Sequence, residues 1–163
     1  MFLFKSDEEK KAERLKELTY DNTPVFSFNG RIFLSKVLDV YDGDTCTILF
    51  EYNGEIMKYK CRCMGYDCAE MKPKKDDPTR DEQKKLAIAA KNRFIELIGG
   101  IDSIVQIKCL DFDKYGRLLA DVYIDYDNPI IHLSDILLNE NLAYKYDGGT
   151  KLSEEDQLKN TLH

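Results

Sequence analysis

Residues 30–66 have the sequence GRIFLSKVLDVYDGDTCTILFEYNGEIMKYKCRCMGY, in which glycine-containing turns separate three β-type runs. The runs, at 30–41, 44–52 and 55–66, are rich in β-branched and aromatic residues, as strands are. An Asn-Gly pair between the second and third runs is the strongest short signal for a β-hairpin. This stretch therefore predicts a three-stranded antiparallel meander.

A helix is predicted directly after the meander, over residues 79–98. Its apolar residues recur at helical spacing and would face the core, namely Leu86, Ala90, Phe94 and Leu97. Thr79 with Glu82 three residues later has the pattern of a capping box, and two glycines follow the last apolar turn. The helix is expected to pack on the strands through this stripe.

Two more strands are predicted at 103–112 and 116–126, and short helices at 131–143 and 153–160. Three strands, a helix, two strands and a helix suit a five-stranded OB-type barrel with about three packed helices, of α+β or mainly β class. A further charged helix is expected near residues 6–18. We accordingly divide the chain into a charged N-terminal helical extension, 1–22, and an OB-fold domain, 23–163.

Composition limits the classes of protein to which the chain can belong. It has 163 residues, 43% hydrophobic and 33% charged, as in an ordinary globular domain. Because no apolar run could span a bilayer and no secretory signal is visible, we expect an intracellular, cytoplasmic monomer without membrane contact. The net charge of −6 argues against indiscriminate binding of polyanions, although a local basic groove remains compatible with it.

The five cysteines are an odd number and are expected to be free thiols. Cys61 and Cys63, two positions apart in a predicted strand, share one face, and we interpret them as small core residues rather than zinc ligands. No C-x-x-C motif and no neighbouring histidine supports a zinc site here.

Two aspartates follow strand boundaries that an antiparallel meander brings to the same barrel mouth. Asp44 begins the second strand in "DGDT", and Asp67 follows the third strand in "CRCMGYDCAE". Two neighbouring carboxylates repel each other unless a cation or a proton lies between them. Oxygen ligands of this kind suit Ca²⁺ or Mg²⁺ better than zinc.

Three further polar residues would complete a site for phosphodiester cleavage. Arg62 lies on the third strand and Arg117 begins the fifth in "DKYGRLLA"; both could stabilise charge on phosphoryl oxygens. Glu70 could orient or deprotonate a water. Taken singly, Asp44 is equally well a turn residue, Glu70 a surface charge and Arg62 an edge-strand charge. The combination favours a catalytic site.

With these motifs, the chain from about residue 28 to its end resembles the staphylococcal nuclease (thermonuclease) family. The resemblance rests on "DGDT", on the spacing of Arg62, Asp67 and Glu70, on "DKYGRLLA", and on a helix between the third and fourth strands. It implies an OB-fold, Ca²⁺-dependent endonuclease that hydrolyses phosphodiester bonds of DNA or RNA, with other divalent cations as possible substitutes for Ca²⁺.

The resemblance also implies a role for each matching residue. Asp44, Asp67 and the backbone carbonyl of Cys68 would bind the metal, Glu70 would be the general base, and Arg62 and Arg117 would hold the phosphate. The substrate-binding residues would be Lys114, Tyr115, Tyr144 and Tyr146. Two alternatives stay open: a non-catalytic module of this fold that binds nucleic acid or protein, and a scaffold that binds Ca²⁺ for stability alone.

Overall fold

A computed structural model describes the backbone of residues 4–161 and the side chains of residues 4–159. The elements in chain order are α1 (Asp7–Lys16), β1 (Ile32–Asp42), β2 (Thr45–Tyr52), β3 (Glu55–Cys63), β4 (Tyr66–Asp67), α2 (Arg80–Leu97), β5 (Ile104–Phe112), β6 (Leu118–Tyr123), α3 (Leu133–Asn139), β7 (Tyr144–Lys145) and α4 (Glu154–Thr161).

Five of the strands form a closed barrel in the order β1-β2-β3-β6-β5. All neighbouring pairs are antiparallel except β3 and β6, which run parallel. This is an OB-like barrel of α+β class, which confirms the predicted fold. The remaining strands, β4 and β7, pair with each other outside the barrel.

The hairpin between β2 and β3 forms where the Asn-Gly pair predicts it. Asn53 and Gly54 have φ angles of 53° and 79°, so both adopt the left-handed conformation that a type I′ turn requires. Tyr52 and Glu55 are direct partners across the turn, and the register continues without interruption to Thr45 and Arg62. The turn therefore fixes which residue of β3 lies beside the start of β2.

Helix α2 packs on the barrel through the predicted stripe, which confirms that interpretation. Ala90 and Phe94 are buried, Leu86 and Leu97 are half-buried, and Ala87 adds to the same face. Burial of such a face is the main source of helix stability in proteins.

The predicted capping box at the start of α2 is wrong. The Thr79 hydroxyl instead donates to Asp77 and accepts from Gln83 Nε2, each at 2.7 Å, so it is not available to the first turn of the helix. The box occurs at α1, where Ser6 Oγ accepts from Glu9 N and Glu9 accepts from Ser6 N.

The other helices are shorter than or shifted from their predicted bounds. Helix α3 ends at Asn139 rather than 143, because Asn141 has a left-handed φ of 56° that no α-helix continues through. Helix α1 has no buried residue, whereas α2, α3 and α4 contact the barrel or one another. Within the part of the chain that the structure describes, no helix combines the length and apolarity needed to cross a bilayer.

Candidate functional site

A cavity of about 620 Å³ opens where β2 begins and β3 ends. Its walls include eight of the ten residues singled out from the sequence, namely Asp44, Arg62, Cys68, Glu70, Lys114, Tyr115, Arg117 and Tyr146. The other two, Asp67 and Tyr144, lie beneath the wall with exposed fractions of 1% and 6%. The fold thus brings residues from four separate parts of the chain to one place.

The floor of the cavity is a buried ion cluster. The Arg62 guanidinium lies between two carboxylates, with Nη2 at 2.7 Å from Asp67 Oδ1 and 3.4 Å from Asp44 Oδ2. All three side chains are less than 9% exposed. The attraction of both carboxylates outweighs burial and raises the pKa of Arg62, which therefore stays charged.

Strand geometry explains how a charged residue is buried at this position. Arg62 alternates with the core residues Cys61 and Cys63, so it points to the outer face of β3. The chain then folds back over it, and Arg62 donates to the backbone carbonyls of Cys63 and, at 3.0 Å, of Tyr66. The segment that follows β3 therefore provides both the cover and the acceptors.

Asp44 is fixed by hydrogen bonds to both carboxylate oxygens. The Thr45 hydroxyl donates to Oδ1 at 3.0 Å, and the backbone N–H of Cys68 donates to Oδ2 at 2.9 Å. Its own backbone N–H donates to Asp42 Oδ1 at 3.1 Å. Burial raises the pKa of Asp44 well above its usual value, Arg62 opposes that shift, and Asp42 and Asp67 add to it. The cluster therefore favours an additional positive charge.

Gly43, between the two aspartates of the "DGDT" motif, allows this turn to lie against its neighbours. A Cβ at this position would be 2.5 Å from Cys68 Sγ and 2.7 Å from Ala90 Cβ, closer than real Cβ contacts. The buried Tyr66 hydroxyl donates to the Gly43 carbonyl at 2.8 Å. Because no other residue fits there, the glycine allows α2 and the residue after Asp67 to pack on the turn that carries Asp44.

Asp67 makes two further contacts that the sequence did not indicate together. The Tyr144 hydroxyl donates to its Oδ2, and Lys151 Nζ lies 3.1 Å from its Oδ1. Burial and the neighbouring Asp67 raise the pKa of Tyr144 above its usual value, which keeps that hydroxyl a donor. Gln157 Nε2 in turn lies 3.3 Å from the Tyr144 hydroxyl. Tyr144 thus contacts Asp67 and not the cavity, whereas Tyr146 lies on the cavity wall.

Arg117 is oriented by the turn between β5 and β6. Its backbone N–H donates to Asp113 Oδ1 at 2.9 Å and its Nε donates to Asp113 Oδ2 at 2.7 Å. Gly116, with a φ of 78°, closes the turn, and Tyr115 on its tip is 72% exposed beside the guanidinium. Asp113 therefore positions Arg117 at the cavity, a role that "DKYGR" could have suggested, since an Asp at the first position of such a turn accepts local N–H groups.

Carboxylates lie in and beneath the cavity wall: Asp42, Asp44 and Glu70 line the cavity, and Asp67 lies beneath it. Their oxygens are the type of ligand that Ca²⁺ and Mg²⁺ prefer. Among the described residues, the three closely spaced metal-ligating atoms lie instead in the barrel core, where the Sγ atoms of Cys46, Cys61 and Cys63 are all within 4.8 Å of one another. All five cysteines are buried free thiols, so these three could hold a thiophilic metal.

Sequence reasoning missed two residues of this site. Asp42, the first aspartate of "DGDT", was not among the predicted site residues, although it lines the cavity and is 9% exposed. Lys151 belongs to a loop without regular structure, and only the fold brings its ammonium group to the carboxylates.

Comparison with known proteins finds a distant relative but does not assign the chain to a family. The chain is 27% identical over 150 residues to an uncharacterized protein of the archaeon Methanocaldococcus jannaschii, an alignment that covers 84% of this chain and 70% of the relative. No model of a protein family matches the chain.

Proposed function

We propose that this protein is a Ca²⁺-dependent endonuclease of the staphylococcal nuclease type, which hydrolyses phosphodiester bonds of DNA or RNA. The observation that supports it most is the cavity floor, where one buried guanidinium joins Asp44 and Asp67. The cluster also fastens the segment after β3 to the barrel, but barrel packing does not require two buried carboxylates and an arginine. Burying such ions costs free energy that hydrophobic residues would not cost.

The metal would be held by Asp44, Asp67 and the backbone carbonyl of Cys68, with waters in its other positions. When bound, such a cation supplies positive charge to the phosphoryl oxygens in the transition state. The chain itself supplies the water-activating group. Glu70 lines the cavity with a half-exposed side chain, from which its carboxylate can accept a proton from an attacking water.

The two arginines would have different roles. Arg117 uses its Nε for Asp113, and its terminal Nη groups make no hydrogen bond within the described residues, so they are available to a phosphate at the cavity. Arg62 lines the cavity but already donates to Asp67 and two backbone carbonyls, so it chiefly holds the carboxylates in place. Guanidinium groups are well suited to both tasks.

The cavity rim offers contacts for a polynucleotide. Lys114 and Tyr115 lie exposed on the tip of the turn that carries Arg117. Tyr146, which directly follows β7, also lines the cavity. Lysine neutralises phosphates, and an exposed tyrosine ring can stack on a base. These contacts are local, which reconciles nucleic-acid binding with a net charge of −6.

The test is a cleavage assay with Ca²⁺ on Arg62→Lys and Arg117→Lys, with Arg93→Lys as the matched control. Arg93 pairs with Glu140 at 2.7 and 2.8 Å outside the cavity, so its replacement should leave kcat unchanged. Because lysine lacks the planar fork, we expect kcat to fall about 10²-fold in Arg117→Lys, the scale of one lost electrostatic donor.

Full activity of both lysine variants at the site would contradict the catalytic role of the arginines. A folded, Ca²⁺-loaded wild type that binds an oligonucleotide without cleaving it would instead identify the protein as a binding module, and the arginine variants would then lose affinity alone.

A further inference from the structure

Lys151 lies between two carboxylates of the cavity floor. Its Nζ is 3.1 Å from Asp67 Oδ1 and 3.3 Å from Glu70 Oε1. Among residues 4–159, Lys151 is the one cation within ion-pair distance of Glu70. The same ammonium group therefore neutralises a proposed metal ligand and the proposed base.

The position of Lys151 controls access to Asp67. Asp67 is only 1% exposed because Arg62, Tyr144 and Lys151 cover its two oxygens. Arg62 and Tyr144 are themselves buried and have other hydrogen-bond partners. The Lys151 side chain is 47% exposed, so of the three groups it can move away from Asp67 at the smallest cost in free energy.

The backbone before Lys151 can accommodate such a movement. Gly148 and Gly149 precede it, Gly148 has a left-handed φ of 104°, and neither α-carbon has a heavy-atom neighbour in the direction that a side chain would take. Two adjacent glycines in open space leave the chain free to adopt other backbone conformations. The loop is tied by the Tyr146 hydroxyl, which donates to the Gly149 carbonyl at 2.8 Å, and the Lys151 side chain itself is held by its ion pairs to Asp67 and Glu70.

We propose that Lys151 is an internal counter-cation that a divalent metal ion displaces from Asp67 and Glu70, and that it thereby sets the affinity of the site for the metal. The inference rests on the metal site of the proposed function. A cation that binds Asp67 must take the place of an ammonium group 3.1 Å away or tolerate its repulsion. In the first case binding costs the ion pairs of Lys151, and in the second it costs the repulsion between two cations, so Lys151 lowers the affinity for the metal in both.

The experiment is calorimetric titration of the full chain with CaCl₂ after treatment with EGTA and buffer exchange. Lys151→Met keeps most of the length of the side chain and removes its charge, and it should bind Ca²⁺ more tightly than wild type by on the order of tenfold, within the usual range of coupling between two ligands. Lys151→Arg keeps the charge and should stay close to wild type. Lys145→Met is the matched control, because Lys145 is exposed on β7 and forms no ion pair within the described residues.

A second measurement follows the loop itself. In ¹⁵N NMR spectra, the amide signals of Gly148 and Gly149 should shift when Ca²⁺ saturates the wild type, and should shift much less in Lys151→Met, where no side chain has to leave. Thermal melting of each variant checks that it is folded at the temperature of the titration.

The outcomes separate this inference from the proposed function. Equal or weaker Ca²⁺ binding by Lys151→Met, or an equal gain in Lys145→Met, would overturn the inference while nuclease activity of the wild type still stood. Absence of Ca²⁺ binding in wild type and Lys151→Met alike would remove the metal site, and with it both proposals.

Discussion

The two ends of β2 lie in opposite kinds of environment. At its C-terminal end, Phe50 and Tyr52 belong to an aromatic cluster whose ring centroids are 4.2 to 6.3 Å apart; its members are Phe26, Phe28, Phe33, Phe50, Tyr52 and Tyr59. At its N-terminal end, Asp44 belongs to the buried ion cluster with Arg62 and Asp67. One strand thus joins an apolar region to a charged one.

The difference between these regions separates stability from function. Phe28, 1% exposed, contacts five other rings of the cluster, an arrangement that adds edge-to-face attraction to its hydrophobic burial. The ion cluster buries charges that pair well but would be replaced by apolar residues at little or no cost to stability. We therefore expect substitutions in the aromatic cluster to change folding alone, and substitutions in the ion cluster to change activity as well.

The largest effect is expected for Arg62→Ala, which should lower both the stability and the activity of the protein. Removal of the guanidinium leaves the buried Asp44 without its ion-pair partner and Asp67 with Lys151 alone, which should cost roughly 3 to 5 kcal/mol of unfolding free energy. The kcat of the folded fraction should also fall by roughly 10²-fold or more. Urea denaturation and cleavage kinetics measure the two effects. An unchanged unfolding free energy would show that Arg62 does not stabilise the buried carboxylates as described.

Phe28→Ala should lower stability by a similar amount and leave the chemistry intact. The lost burial and the cavity that remains should cost roughly 3 to 5 kcal/mol. Urea denaturation measures that loss, and kcat determined at a temperature where the variant is folded should equal that of wild type. A large fall in kcat per folded molecule would contradict the assignment of stability to one end of β2 and activity to the other.

Tyr144→Phe should give a smaller effect at the charged end. The variant loses the hydrogen bond from the Tyr144 hydroxyl to Asp67, a bond to a charged acceptor, which should cost about 1.5 to 3 kcal/mol of unfolding free energy. The ring stays in place, so packing is preserved. Because that hydroxyl orients Asp67, Ca²⁺ affinity should fall as well, and calorimetry that shows neither change would remove Tyr144 from the site.

Glu140→Gln, outside both regions, should have the smallest effect and a defined pH dependence. Its hydrogen bonds from Arg93 lower the pKa of Glu140 below the usual value of 4.5, so its contribution to stability is present above that value and is lost as the pH falls through the folded-state pKa. Wild type should melt slightly above the variant at pH 7, and the two should melt together in strong acid. A difference that grows with acid would contradict this sign.

The order of the elements and the position of the charged end could be predicted from the sequence. Strand alternation in β2 places Asp44 in the same inward row as Cys46, Ile48 and Phe50, and all four are buried. The Asn-Gly turn fixes the register that brings Arg62 opposite Thr45. Such local patterns allow the strands of the barrel to be predicted, because each pattern extends over many consecutive residues.

Other features depend on contacts between residues far apart in the chain. Lys151 reaches Asp67 across 84 positions, and Tyr144 reaches it across 77. No periodic pattern marks either contact. The capping box at Thr79 failed for a related reason, since Asp77 and Gln83 competed for a hydroxyl that the motif assigns to the helix.

The most direct test of the proposed activity is cleavage of an end-labelled single-stranded DNA oligonucleotide by the wild-type chain, measured in excess Ca²⁺ and again in excess EGTA. We predict endonucleolytic products with Ca²⁺, their disappearance with EGTA, and their recovery when Ca²⁺ is restored. An Asp44→Asn variant that melts like wild type and leaves the DNA intact would assign that dependence to the charged end of β2. A folded, Ca²⁺-saturated wild type that leaves DNA and RNA oligonucleotides intact would contradict the proposed function.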